Sequence, residues 1–64
     1  LQRGRRSLFA AREIRQGEII KKEMLSILRP ALGLMPKFID EVAGKKAKTN
    51  ISKNTPITWD KIKK

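Results

Sequence analysis

The 64-residue chain contains no histidine and no cysteine. The commonest general base, the commonest metal ligand and the thiol nucleophile are therefore missing before any fold is considered. Chemistry would have to come from hydroxyls, carboxylates, amines or guanidiniums. Three serines stand at Ser7, Ser26 and Ser52, but without histidine each needs a lysine base, and no Ser-x-x-Lys spacing occurs. Asp40 and Glu41 are adjacent, which on a helix points them about 100° apart instead of at one substrate. They read as helix-start carboxylates favoured by the helix dipole. The six acids are scattered and form no oxygen cluster for a metal. Phosphate-cradling glycine loops are absent. The side chain best placed to bind something is Arg29. It ends an apolar stretch, precedes a proline that restricts its backbone, and stands at the mouth of the apolar segment Pro30-Ala31-Leu32-Gly33-Leu34. A guanidinium held this way offers a planar fork to a carboxylate, carbonyl or hydroxyl pair. The competing reading is a strand-end arginine paired with a surface acid.

The elements that must position Arg29 can be read outward from it. Leu25 to Leu28 reads as a strand running into Arg29. Residues 30–36 are bracketed by prolines and contain Gly33, so they form a loop despite their apolar character. Pro36 suits a first helical position, Phe38 and Val42 share a face four apart, and Gly44 suits the stop, which predicts a helix from Pro36 to Gly44. Upstream, Leu8 to Ala11 and Glu18 to Ile20 read as strand, turn and strand about Gly17, with a short helical turn over Lys21 to Met24. Ala47 to Ile62 returns to short strands and another turn.

The second half partly repeats the first. A shift of thirty-seven positions pairs Ala10 with Ala47, Ile14 with Ile51, Gly17 with Asn54, Ile20 with Ile57, Glu23 with Asp60 and Leu25 with Ile62. Gly and Asn most readily take positive φ, so the Gly17/Asn54 pairing predicts the same tight turn used twice. The expected product is a compact, mainly β domain with short helical turns and a pseudo-twofold.

Composition bounds the rest. A chain this short removes only about 60% of its unfolded surface on folding, so the core is small. Three aromatics, Phe9, Phe38 and Trp59, leave little to line a private cavity. Without cysteine there is no disulfide framework. No apolar run approaches the roughly 18 residues of a membrane span, and no signal peptide is evident. The reading is a soluble, cytoplasmic protein with no membrane partner. Net charge is +10, from sixteen Lys and Arg against six acids. Basic groups at Arg3/Arg5/Arg6, Lys45/Lys46/Lys48 and Lys61/Lys63/Lys64 are spread along the chain, with acids between them. A solvated surface accounts for most of this charge. Residues 1–6 read as a linker or cut end, and residues 7–64 as the domain.

Taken together, Arg5-Arg6-Ser7-Leu8, Ala11-Arg12-Glu13-Ile14-Arg15-Gln16-Gly17-Glu18-Ile19-Ile20, Arg29-Pro30-Ala31-Leu32-Gly33-Leu34-Met35-Pro36-Lys37 and Gly44-Lys45-Lys46-Ala47 resemble the C-terminal antifreeze-like (SAF) domain of the N-acetylneuraminate (sialic acid) synthase family. The resemblance runs from about Arg5 to Ile62. It implies a β-clip fold, shared with type III antifreeze protein, whose internal pseudo-twofold agrees with the repeat. It also implies a parent enzyme in which this domain follows a TIM barrel of roughly 280 residues. In the family that barrel condenses phosphoenolpyruvate with an N-acetylated amino sugar, using a divalent metal, Mn or Mg, held in the barrel. By the same resemblance the full enzyme forms a domain-swapped homodimer, and the small domain caps the partner subunit's barrel. Arg29 of the Arg-Pro motif would contact the amino sugar. The domain itself would hold no catalytic residue, cofactor or metal, and alone would have no synthase activity. The resemblance leaves open whether the sugar is of the sialic, legionaminic, pseudaminic or spore-coat type. One departure stands out: the family loop usually reads Arg-Pro-Gly-x-Gly, and Ala31 replaces the first glycine. If that position requires positive φ, alanine strains the loop and blurs the aim of Arg29.

Two other readings compete with this one. Ice binding uses a flat, largely uncharged face, and the matching region here carries Arg12, Lys21, Lys22 and Glu23, whose charges stay hydrated. Nucleic-acid binding rests on charge alone, with Trp59 as a stacking ring. No recognition-helix or ribonucleoprotein pattern supports it.

Overall fold

A computed structural model describes residues 5–63. The linker assigned to residues 1–6 lies outside it except for Arg5 and Arg6, as do Arg3 and Lys64 of the basic groups. Four short strands form two antiparallel pairs: β1 (Ser7–Ala10) with β2 (Leu25–Leu28), and β3 (Lys46–Ala47) with β4 (Ile62–Lys63). The β1–β2 register sets Ser7 opposite Leu28 and Ala10 opposite Leu25. Lys46 faces Lys63 in the second pair.

The internal repeat is carried by the backbone itself. A 3₁₀ turn at Lys22–Met24 precedes β2, and one at Trp59–Lys61 precedes β4, thirty-seven positions later. Gly17 (φ +85°) and Asn54 (φ +69°) occupy the two left-handed turn positions. Each turn then bonds to the opposite half. Gly17 N–H donates to Ala47 O (2.8 Å) and Ala47 N–H to Glu18 O (2.9 Å); the twofold mates are Asn54 N–H to Ala10 O (2.8 Å) and Ala10 N–H to Thr55 O (3.0 Å). Ile14 and Ile51 exchange both backbone hydrogen bonds at the centre. The segments flanking Gly17 are joined by a tight turn, closed by Glu18 N–H to Arg15 O (2.9 Å), yet beyond it they pair with the other half and not with each other. Ile19 bridges to Lys46 and Ile20 N–H donates to Lys45 O, so each half completes the other's backbone pairing. No single half could satisfy these groups alone.

The core lies between the halves. Leu8, Ala10, Ile14, Ile20, Met24 and Leu25 from the first half pack with Val42, Ala47, Ile51, Ile57 and Ile62 from the second, and Leu34, Ile39 and Trp59 close its edge. The helix expected from Pro36 opens as a 3₁₀ turn, Pro36–Phe38, and continues for one α turn, α1 (Ile39–Val42), before Gly44 (φ +94°) reverses the chain. Gly44 N–H donates to Ile20 O (2.7 Å), which ties that reversal to the first half. Val42 is buried, whereas Phe38 is half-buried and meets Trp59 edge to face with centroids 5.7 Å apart.

Candidate functional site

Arg29 follows the last residue of β2, and its side chain is exposed. The Arg29–Pro30 peptide bond is cis. Two fixtures hold the loop that follows. At its start, the Ser7 hydroxyl donates to Pro30 O (3.0 Å) and accepts from Leu32 N–H (3.2 Å), while Leu32 N–H also reaches Pro30 O (2.9 Å). Ser7 is fully buried. At its end, Leu8 N–H donates to Leu34 O, Leu34 N–H to Ile57 O and Ile57 N–H to Leu8 O, each at 2.8 Å. These bonds close a ring of three backbone segments around Gly33. A Cβ on Gly33 would lie 2.5 Å from Ile57 O, 2.9 Å from Ile57 N and 3.2 Å from Leu8 O. Glycine is needed there for close approach of backbones.

The substitution at Ala31 does not strain this loop. Among the described residues the positive-φ positions are Gly17, Gly44 and Asn54, and Ala31 is not one of them. The apolar loop residues divide by destination. Leu34 packs against the core, whereas Leu32 (63% exposed) and Met35 face solvent together with Ile27 and Leu28 of β2. Arg29 stands in sequence between these exposed apolar residues of β2 and of the loop.

The ion pairs found among the described residues lie elsewhere. Lys22 meets Asp40 at 2.7 Å and Arg12 meets Glu18 at 3.7 Å, so the reading of Arg29 as a strand-end arginine tied to a surface acid has no partner here. Asp60, in the second 3₁₀ turn, is held below the ordinary carboxylate range, chiefly by a hydrogen bond from the Thr58 hydroxyl and then by nearby Lys61 and Lys48. Two shallow depressions of about 360 and 400 Å³ flank the Lys46/Lys63 pair, lined by lysines together with Ile19, Gly17 and Gln16. Neither is lined by Arg29. Arg12, Lys21, Lys22 and Glu23 are exposed charges, as the argument against an ice-binding face requires. No three His, Cys, Asp or Glu side chains come together among the described residues. Likewise, no helix there is long and apolar enough to cross a membrane.

The sequence pointed to Arg29 and its loop, but it offered Ser7 only as an unactivated hydroxyl. The available signal was a small polar residue at the head of the run Ser7-Leu8-Phe9-Ala10, all of which is buried. Burial of a hydroxyl implies a partner, but only the β1–β2 register says which.

Comparison with known proteins agrees with this fold. The sequence pattern of the SAF domain matches residues 5–63. The chain belongs to the SAF domain family. It is 42% identical over 59 residues to the pseudaminic acid synthase of Helicobacter pylori, covering 92% of this chain and 17% of that protein. It is 36% identical over 58 residues to the N,N'-diacetyllegionaminic acid synthase of Legionella pneumophila, covering 91% of this chain and 16% of that one. The SAF chain thus spans about a sixth of these relatives and corresponds to the SAF part of sialic-acid-type synthases. Its fold matches the solution structure of the antifreeze-like domain in human N-acetylneuraminic acid phosphate synthase, with a TM-score of 0.85 at 24% identity over 91% of this chain and 75% of that one. The mainly β, pseudo-twofold architecture expected from the repeat is the antifreeze-like fold.

Proposed function

We propose that this SAF domain is the substrate-capping part of a cytoplasmic synthase that condenses phosphoenolpyruvate with an N-acetylated amino sugar. In this reading it closes over the TIM barrel of the partner subunit in a domain-swapped homodimer, and Arg29 contacts the sugar. The observation that carries the reading is an exposed arginine with no acidic partner among the described residues, on a loop fixed at both ends and flanked in sequence by exposed apolar side chains. An unpaired guanidinium on a rigid mount loses little entropy when it meets a ligand. Exposed Leu32, Met35, Ile27 and Leu28 supply apolar area that a larger neighbour would bury. The relatives' names point to pseudaminic or legionaminic types of amino sugar.

The barrel would supply the reacting groups and the divalent metal, Mn or Mg. The carboxylates of this chain are too dispersed to hold such an ion. The part played by this chain is to cover the site and to orient the sugar through a charge-assisted hydrogen bond.

The test requires the full-length protein. Arg29→Ala is expected to raise the KM for the amino sugar, or to lower turnover, by about ten- to a hundredfold, as befits one charge-assisted hydrogen bond. The KM for phosphoenolpyruvate should change little. Unaltered sugar kinetics would refute the assignment.

A further inference from the structure

We infer that the Ser7 hydroxyl is the positioning residue for Arg29, latching the loop from beneath so that the guanidinium is presented to the sugar in one orientation. This rests on the reading of Arg29 given above.

Consider how the span from Arg29 to Leu32 is held. Leu28 is the last ladder residue of β2, and Gly33 is the first residue pinned between β1 and Ile57. Between them, the hydrogen bonds found among the described residues tie the span to the rest of the fold only through Ser7 Oγ. That oxygen meets Pro30 O at 3.0 Å and Leu32 N at 3.2 Å, and so uses its proton and a lone pair on the two ends of one tight turn. The Ser7 side chain is itself fully buried, whereas its loop partners Pro30 and Leu32 are exposed. Its backbone is fixed independently by the antiparallel register opposite Leu28. The latch is therefore mounted on the strand beside the one that ends at Arg29.

Removing the hydroxyl leaves neither loop group without a partner, because Leu32 N–H still reaches Pro30 O at 2.9 Å. The turn would survive as a local unit while losing its connection to β1. A loop freed in this way still carries Arg29 but samples more orientations, so substrate binding suffers more than folding. An alanine at this position should act as a weakened copy of the Arg29 truncation, not as an unfolding mutation.

The experiment is a double-mutant cycle in the full-length protein, read as KM for the amino sugar and kcat separately, alongside thermal melting. Ser7→Ala is expected to raise the sugar KM roughly three- to tenfold, the worth of one hydrogen bond, with the phosphoenolpyruvate KM unchanged. In an Arg29→Ala background the same change should add less than about twofold, because the two residues act in series. Ser7→Thr and Ser7→Val share a branched shape and differ in the hydroxyl, so Thr should retain a lower sugar KM than Val even if both lower the melting temperature. KM does not depend on how much of the enzyme is folded, which separates positioning from loss of fold. If Arg29→Ala raises the sugar KM but Ser7→Ala and Ser7→Val do not, the role of Ser7 is overturned and that of Arg29 stands. Equal Thr and Val values, or effects that multiply in full in the double variant, overturn it too. If Arg29→Ala itself leaves the sugar KM unchanged, it is the capping assignment that fails.

Discussion

Gly33→Ala tests whether the loop is held as described. The added Cβ would lie 2.5 Å from Ile57 O and 2.9 Å from Ile57 N. Both atoms are backbone, so no side-chain rotation relieves the overlap, and the segments must part by roughly 1 Å to reach ordinary contact. Overpacking of this kind costs about 1–3 kcal/mol. The clashing atoms also hold two bonds of the ring, Leu34 N–H to Ile57 O and Ile57 N–H to Leu8 O. Losing them adds about 1 kcal/mol each, for a sum of roughly 3–5 kcal/mol. A chain of 64 residues has a total stability of only about 3–10 kcal/mol. At about 4–8 °C per kcal/mol, the melting temperature should fall by at least roughly 12 °C. Gly17→Ala is the control: it meets nothing within 4 Å but sits at φ +85°, so strain alone should cost about 1–2 kcal/mol. Trp59 is the one tryptophan and lies at the core edge, so its fluorescence reports both melts. A Gly33→Ala protein that melts within about 3 °C of the parent, or that is more stable than Gly17→Ala, refutes the close-approach argument.

The remaining predictions concern the second half. Asn54 has φ +69°, so Asn54→Gly should be neutral within a few tenths of a kcal/mol, whereas Asn54→Ala should cost about 1 kcal/mol in denaturant unfolding. Asp60 is held below its ordinary value of 3.8 by the Thr58 hydroxyl and then by lysines. Its contribution is therefore fully present above that value and is lost as pH falls through the lower, folded one. Melting temperatures measured from pH 5 down to pH 2 should fall less steeply for Asp60→Asn than for the parent, and parallel curves would contradict the Thr58 bond.

The repeat was legible because it rests on residue types with few conformational options: Gly17 and Asn54 tolerate positive φ, and the buried isoleucines recur at matching offsets. The loop after Arg29 was legible for a related reason, since its two prolines and Gly33 exclude regular structure. The path of the chain around Gly17 was less so. Strand–turn–strand describes the local backbone correctly, but the partners of Ile19 and Ile20 lie at Lys45 and Lys46, and periodicity carries no information about which extended segment pairs with which. The helix at Pro36 was placed correctly yet proved to be a single α turn after a 3₁₀ start.

By itself the sequence determined the mainly β architecture and the twofold pattern, because both depend on residue type and on local φ preference. Only the tertiary structure decided that Ser7 lies beneath Pro30 and Leu32, that Gly33 is required by a neighbouring backbone and not by its own φ, and that Ala31 is harmless. The first two turn on atoms brought within 3 Å or so from distant parts of the chain. Ser7 meets residues more than twenty positions away, and Gly33 meets Ile57 from the other half.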